Sequence, residues 1–162
     1  GPSRGRASRA NGGAGITRDT MVLVRVVLDS NVLVAALRSR RGASFRLLEL
    51  LRKGRFQIAL SVPLALEYEA VLLRHAAELG LSGEEAAGVV DYLCRVAHRQ
   101  DIHFLWRPTL IDPGDEFILE LAVAAGCEAV VTHNVRDFGG ARPFRIQVLT
   151  PSEFLAWVEE DV

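Results

Sequence analysis

The chain reads as an α/β domain: a mainly parallel central sheet of about four to five strands flanked by helices, in a Rossmann-like three-layer arrangement. Three observations predict it. Short apolar runs of strand length alternate with longer helical patterns, which is how strand–helix–strand units are written. The runs at Leu23–Leu28 and Ala129–Thr132 are rich in Val and Leu and show little polar alternation, as expected of strands covered on both faces. Hydrophobic residues make up 49% of the 162 positions and charged residues 24%, enough apolar material for a real core.

The elements follow in order. Leu23–Leu28 is the first strand, and the acid of Asp29-Ser30-Asn31 ends it. Asn31–Leu37 is a helix, followed by the basic turn Arg38-Ser39-Arg40-Arg41-Gly42. A second helix spans Ala43–Lys53 and is closed by Gly54, and Phe56–Leu60 is the second strand. Ser61-Val62-Pro63 opens the next helix, with Ser61 as N-cap and proline in the first turn; it runs to about Leu79 and stops at Gly80. Ser82 and Glu85 have the spacing of a capping box for a helix to about His98. Ile102–Leu105 is a short strand. Asp112-Pro113 opens a helix through Ala125, stopped by Gly126. Ala129–Thr132 and Ile146–Leu149 are the last strands, and Thr150-Pro151-Ser152-Glu153 caps a final helix to about Glu160.

Residues 1–20 stand apart. They begin Gly-Pro, are dominated by Gly, Ser, Arg and Ala, and show no apolar period. The expectation is a disordered leader, with residues 21–162 forming a single domain that starts at Met21. Setting aside the leader's four Arg and one Asp leaves 15 basic and 19 acidic residues, a net of −4. A nucleic-acid binder more often shows a basic excess, although an acidic site can carry a local basic rim. No apolar run nears the roughly 20 residues that span a bilayer, and no secretory signal is visible. Cys94 and Cys127 are isolated and read as reduced core thiols, so the expected location is the cytoplasm, without membrane contact.

Four acidic groups carry the chemistry: Asp29, then Glu67 with Glu69, then Asp112 with Asp115 and Glu116, and lastly Asp137 in Thr132-His133-Asn134-Val135-Arg136-Asp137-Phe138. If the strands are parallel, all four fall near the carboxyl edge of the sheet, where open α/β folds keep their ligand sites. Converging carboxylates repel one another, and a hard divalent cation relieves the repulsion. Each acid also has a plainer reading. Asp29 could be a helix N-cap, Asp112 a cap before Pro113, and Asp115 and Glu116 companions of a helix dipole. Glu69 rivals Glu67, since both lie at the rim of the helix's apolar stripe. His133 reads as a solvated loop residue, and His75, His98 and His103 as structural. Three basic groups could touch phosphates: Arg38, Arg40 and Arg41; Arg52, Lys53 and Arg55; and Arg136, Arg142 and Arg145.

Taken in order, these motifs resemble the PIN domain, the metal-dependent ribonuclease fold of VapC-like toxins in bacterial toxin–antitoxin pairs. Asp29-Ser30-Asn31 matches the family's opening. Ser61-Val62-Pro63-Leu64-Ala65-Leu66-Glu67-Tyr68 matches its Glu-bearing helix, Asp112-Pro113-Gly114-Asp115-Glu116 its acidic helix start, and Thr132-His133-Asn134 with Asp137-Phe138 its last segment. The resemblance covers about residues 22–158. It implies Asp29, Glu67, Asp115 and Asp137 as catalytic metal ligands for Mg²⁺ or Mn²⁺, with Ser30, Asn31, Thr132, Asn134, Asp112 and Glu116 in support. It also implies cleavage of RNA phosphodiester bonds, a homodimer, and a cognate antitoxin. Two departures are visible. Asn134 stands where some members carry Asp, and Gly114 where close relatives often carry another acid. The rivals are a PIN-fold module that binds RNA or a partner without cutting, and an acidic α/β phosphatase of the haloacid-dehalogenase type. The latter needs a second Asp where Asn31 stands.

Overall fold

The computed structural model describes residues 23–102 and 113–160, with the side chains of 113–117, 140, 142 and 143 excepted. Strands β1 (Arg25–Leu28), β2 (Gln57–Leu60), β3 (His98–Arg99), β4 (Ala129–Val131) and β5 (Gln147–Leu149) form one five-stranded sheet. Every pairing is parallel, in the order β3-β2-β1-β4-β5. The helices are α1 (Ser30–Arg38), α2 (Ala43–Arg52), α3 (Val62–Arg74), α4 (Ala76–Leu79), α5 (Gly83–Val96), α6 (Pro113–Ala124) and α7 (Pro151–Glu160). Two 3₁₀ turns within Val135–Phe144, separated by a kink at Phe138, join β4 to β5.

Successive side chains on a strand point to opposite faces. Val26, Val27 and Leu28 are all fully buried, so both faces of β1 are covered, and the same holds for Ala129, Val130 and Val131 in β4. Helix α2 packs against α1 and α7, α3 packs against α1 and α5, and α6 lies against β1, β2 and β4. The sheet order changes direction after β1: the chain winds outward to β2 and β3, then returns to place β4 on the other side of β1. The crevice between β1 and β4 is the switch point where such folds bind ligands.

The caps form as their residue types dictate. Ser61 Oγ accepts from Leu64 N at 3.3 Å, and Ser82 and Glu85 exchange both bonds of a capping box. Thr150 and Glu153 do the same ahead of α7. Gly80 and Gly126 end their helices at φ 71° and 68°, backbone that a side chain would strain.

Three expectations need correction. The helix expected from Pro63 to Leu79 breaks at His75, whose backbone (φ −102°, ψ 4°) separates α3 from α4. The next helix ends at Val96 rather than His98, because His98 and Arg99 leave it to pair with Ala59 and Leu60. This pairing supplies the edge strand expected at Ile102–Leu105; Ile102 is outside any strand, and 103–105 lie outside the described residues. Cys127 is buried between α6 and β4, and burial pushes its thiol up to about 12.

Candidate active site

The β1–β4 and β4–β5 ladders each run one residue past the strand ends. Asp29 N donates to Val131 O and Thr132 N to Leu149 O, both at 2.9 Å. This register sets Asp29 and Thr132 side by side at the carboxyl edge. Asp29 occupies the N-cap position of α1 but makes no side-chain cap bond. Its carboxylate turns across the crevice, where Oδ2 accepts from Thr132 Oγ1 at 2.7 Å and from Asn31 Nδ2 at 3.3 Å.

Asn31 links the two loops. Its Oδ1 accepts from His133 N at 3.2 Å, and Thr132 Oγ1 accepts from Asn134 N at 3.0 Å. Residues from two strand ends thus form one hydrogen-bonded web around a carboxylate that is 6% exposed. On the other side, Ser30 Oγ donates to Glu67 Oε2 at 3.0 Å, tying α1 to α3. Glu69 is exposed, whereas Glu67 is half-buried and faces the crevice. Glu67 and Glu69 lie two residues apart on a helix, so they point well apart around its axis.

Together these groups line an open cleft of about 580 Å³. Asp29, Glu67 and Asp137 contribute carboxylates, and Ser30, Asn31 and Asn134 contribute neutral oxygens. Val34, Ala35 and Val71 form an apolar wall, and Arg38, Arg74, His75 and His133 complete the rim. A second hollow of about 610 Å³ shares His133, Asn134 and Asp137 and adds Arg136 and Thr150. Asp115 and Glu116 lie in the opening turn of α6, their side chains outside the description, and Asp112 lies outside the described residues. The last turn of α6 leads through Gly126 directly into the amino end of β4, so its opening turn belongs to the carboxyl edge. Among the described residues no group of three or more acid, His or Cys side chains forms a tight metal cluster.

Sequence reading does not pick out Tyr68. Its hydroxyl is fully buried and donates to Leu28 O at 2.6 Å, bracing the last residue of β1 one position before Asp29. Burial, and then the charges of Asp29 and Glu67, raise its pKa well above 10.0. Both carboxylates therefore act on one buried phenol. Glu120 on α6, 3% exposed, is a second buried group left out of that reading; helical spacing from Glu116 was the available signal. His75 also has a partner: its Nδ1 lies 2.7 Å from Glu78 Oε1.

The basic groups divide by sheet edge. Arg38 lines the cleft, while Arg40 and Arg41 are exposed outside it. Arg52, Lys53 and Arg55 precede β2 and Arg145 precedes β5, so these four lie at the opposite, amino edge. The side chain of Arg142 is outside the description.

A family model described as the PIN domain matches residues 25–136 of the chain. Among solved structures, the crystal structure of VapBC2 from Rickettsia felis, bound to a DNA fragment from its promoter, superposes with a TM-score of 0.56 at 19% identity. The match covers 78% of this chain and 98% of that one. No curated protein matches the sequence. Among the described residues, no helix is long and apolar enough to cross a membrane.

Proposed function

The chain belongs to the PIN domain family, and from that premise we propose that it is a metal-dependent endoribonuclease acting as the toxin of a toxin–antitoxin pair. The observation that carries the reading is the cleft at the β1/β4 switch point, into which separate elements bring Asp29, Glu67 and Asp137.

The donor set fits a hard divalent cation. It is all oxygen, from carboxylates with hydroxyl and amide support, which suits Mg²⁺ or Mn²⁺ and not a thiophilic metal. Asp29, Glu67 and Asp137 would hold it, joined by Asp115 from α6, with Asp112 and Glu116 in support. Such an ion supplies Lewis-acid chemistry: it acidifies an attacking water and stabilises charge on the phosphate.

The chain's own residues prepare that site. Thr132 and Asn31 donate to Asp29 Oδ2 and hold its carboxylate in one orientation, as second-layer partners of metal ligands do. Ser30 does the same for Glu67. Tyr68 fixes the strand end from beneath. In the reaction, the oxygen of water bonds to phosphorus and the P–O3′ bond breaks. A proton passes to the departing oxygen, leaving a 5′-phosphate and a 3′-hydroxyl. No side-chain nucleophile is required.

A cognate antitoxin is part of the proposal, by likeness to a neighbour solved as VapBC2, and so is a homodimer. The test is cleavage of labelled RNA by the purified chain with Mg²⁺ or Mn²⁺ and with EDTA. Cleavage that needs the ion supports the reading. RNA binding without cleavage in any divalent ion replaces it with a non-cutting PIN module.

A further inference from the structure

One wall of the acidic cleft is cationic, and an acid outside the cleft organises it. Arg38 at the end of α1, Arg74 at the end of α3 and His75 at the α3/α4 break all line the same cavity as Asp29 and Glu67. Glu78 on α4 is not part of that lining. It receives Arg38 Nη2 at 2.8 Å through Oε2 and meets His75 Nδ1 at 2.7 Å through Oε1. One carboxylate therefore joins the tips of two wall residues, one at the end of α1 and one at the α3/α4 break. These two bonds also hold the Glu78 carboxyl below its usual range, the His75 bond first and the Arg38 bond second.

We infer that Arg38, Arg74 and His75 form a phosphate-gripping wall for single-stranded RNA beside the acidic floor, and that Glu78 is the positioning residue that holds Arg38 and His75 in place. Glu78 accepts from one nitrogen, Nη2, of the Arg38 guanidinium, and a guanidinium presents five N–H donors in a rigid fork, so several remain for phosphate oxygens. The polyanion would otherwise be repelled by the acids of the floor. A cationic wall in the same cleft makes entry favourable and sets which way the strand lies. The hollow beyond Asp137 continues the groove and carries Arg136, so a strand gripped at the wall crosses the acids and leaves past a second cation. The nature of the ligand rests on the nuclease reading above; the wall itself does not.

The wall lies at the break between α3 and α4. At His75 the backbone (φ −102°, ψ 4°) leaves the helical region, and Glu78 on the short helix that follows reaches Arg38 at the end of α1. Arg40 and Arg41, two and three residues further along the chain, are exposed outside the cleft and make no part of this arrangement.

The test is binding of a short fluorescein-labelled single-stranded RNA to the full chain in EDTA, followed by anisotropy over a range of salt. The double variant Arg38→Ala/Arg74→Ala should bind several-fold more weakly, with a salt slope shallower by about 0.7 for each phosphate no longer neutralised. The double variant Arg52→Ala/Arg55→Ala removes the same charge from the opposite sheet edge and should keep the wild-type slope. Glu78→Ala should weaken binding about two- to threefold although it deletes a negative charge, and Glu78→Gln, whose amide oxygen still accepts from Arg38, should recover part of the loss. If both Glu78 variants bind more tightly, Glu78 is a repulsive charge and not a positioning residue. If the two arginine pairs lose affinity and slope equally, the wall is not an RNA-binding surface. A chain that binds RNA through these residues yet never cuts it would remove the nuclease reading and leave the wall standing. Unaltered cleavage and affinity without Arg38 and Arg74 would do the reverse.

Discussion

The two edges of one sheet treat charge in opposite ways. At the amino edge, the Arg25 side chain is committed to structure: Nη1 donates to Ala125 O at 2.7 Å, and Nε and Nη2 donate to Gln57 Oε1 at 3.2 and 3.1 Å. One cation there clamps the starts of β1 and β2 and the end of α6. At the carboxyl edge, like charges are collected instead. Asp29, Glu67 and Asp137 share a cleft, and neutral donors from Ser30, Asn31 and Thr132 orient the first two. The contrast separates residues that maintain the fold from residues whose placement works against it. A charge satisfied by the groups around it is stabilising. Like charges gathered into one cleft are costly and point to function.

Substitutions can break or sharpen this contrast, beginning with the largest effect. Asp29→Asn should reduce Mn²⁺- or Mg²⁺-dependent RNA cleavage by at least about 100-fold, beyond the range seen for outer partners of metal ligands. In metal-free buffer its melting temperature should equal or exceed that of the wild type, because one repelling charge is gone. Added Mn²⁺ should raise the wild-type melting temperature far more than the variant's. A soluble Asp29→Asn variant that cuts at the wild-type rate would end the functional reading of this edge.

Thr132→Val deletes the 2.7 Å bond to Asp29 and keeps the side-chain shape. Cleavage should fall about 10- to 100-fold, with the loss in kcat greater than that in KM. At the other edge, Arg25→Ala should cost about 1–3 kcal/mol in denaturant unfolding while the folded fraction cleaves normally. An Arg25→Ala protein that is fully stable, or folded but inactive, would erase the division between the edges.

The smallest effect belongs to Tyr68, which lies beneath the acidic edge. Tyr68→Phe should cost about 1–2 kcal/mol by leaving Leu28 O without that donor. The sign of its pH dependence follows from its raised pKa. The stability it contributes is complete below the unfolded value of about 10 and is lost as pH rises from there towards the folded value, because the unfolded chain ionises first. Wild-type stability should therefore fall above about pH 10 more steeply than that of Tyr68→Phe. Equal alkaline slopes would show that the phenol is not held neutral.

Much of this was legible in the chain because it is written locally. Ser61, the Ser82/Glu85 box, the Thr150/Glu153 box and the glycines at 80 and 126 act within one helical turn, so their residue types alone place the element ends. The buried strands were visible because a strand covered on both faces must be apolar throughout. The edge strand His98–Arg99 was hidden, since two polar residues carry no period and only the neighbouring Ala59 and Leu60 make them a strand. The break at His75 was equally silent, with no proline or glycine to mark it. The acids could be named in order but not ranked, and spacing did not show that Glu67 lines the cleft and meets Ser30 while Glu69 is exposed.

Residue type and spacing by themselves determined an alternating α/β chain, its capped helix ends and a set of acids that share one sheet edge if the strands are parallel, because propensity, capping and amphipathic period are short-range properties. Only the tertiary structure decided that Asp29 turns away from capping its helix to meet Thr132, that Tyr68 braces the strand end, and that Glu78 joins Arg38 to His75. Those bonds join residues up to 103 positions apart, and they exist only once the parallel register of β1 and β4 and the turn at His75 bring distant segments within hydrogen-bonding reach.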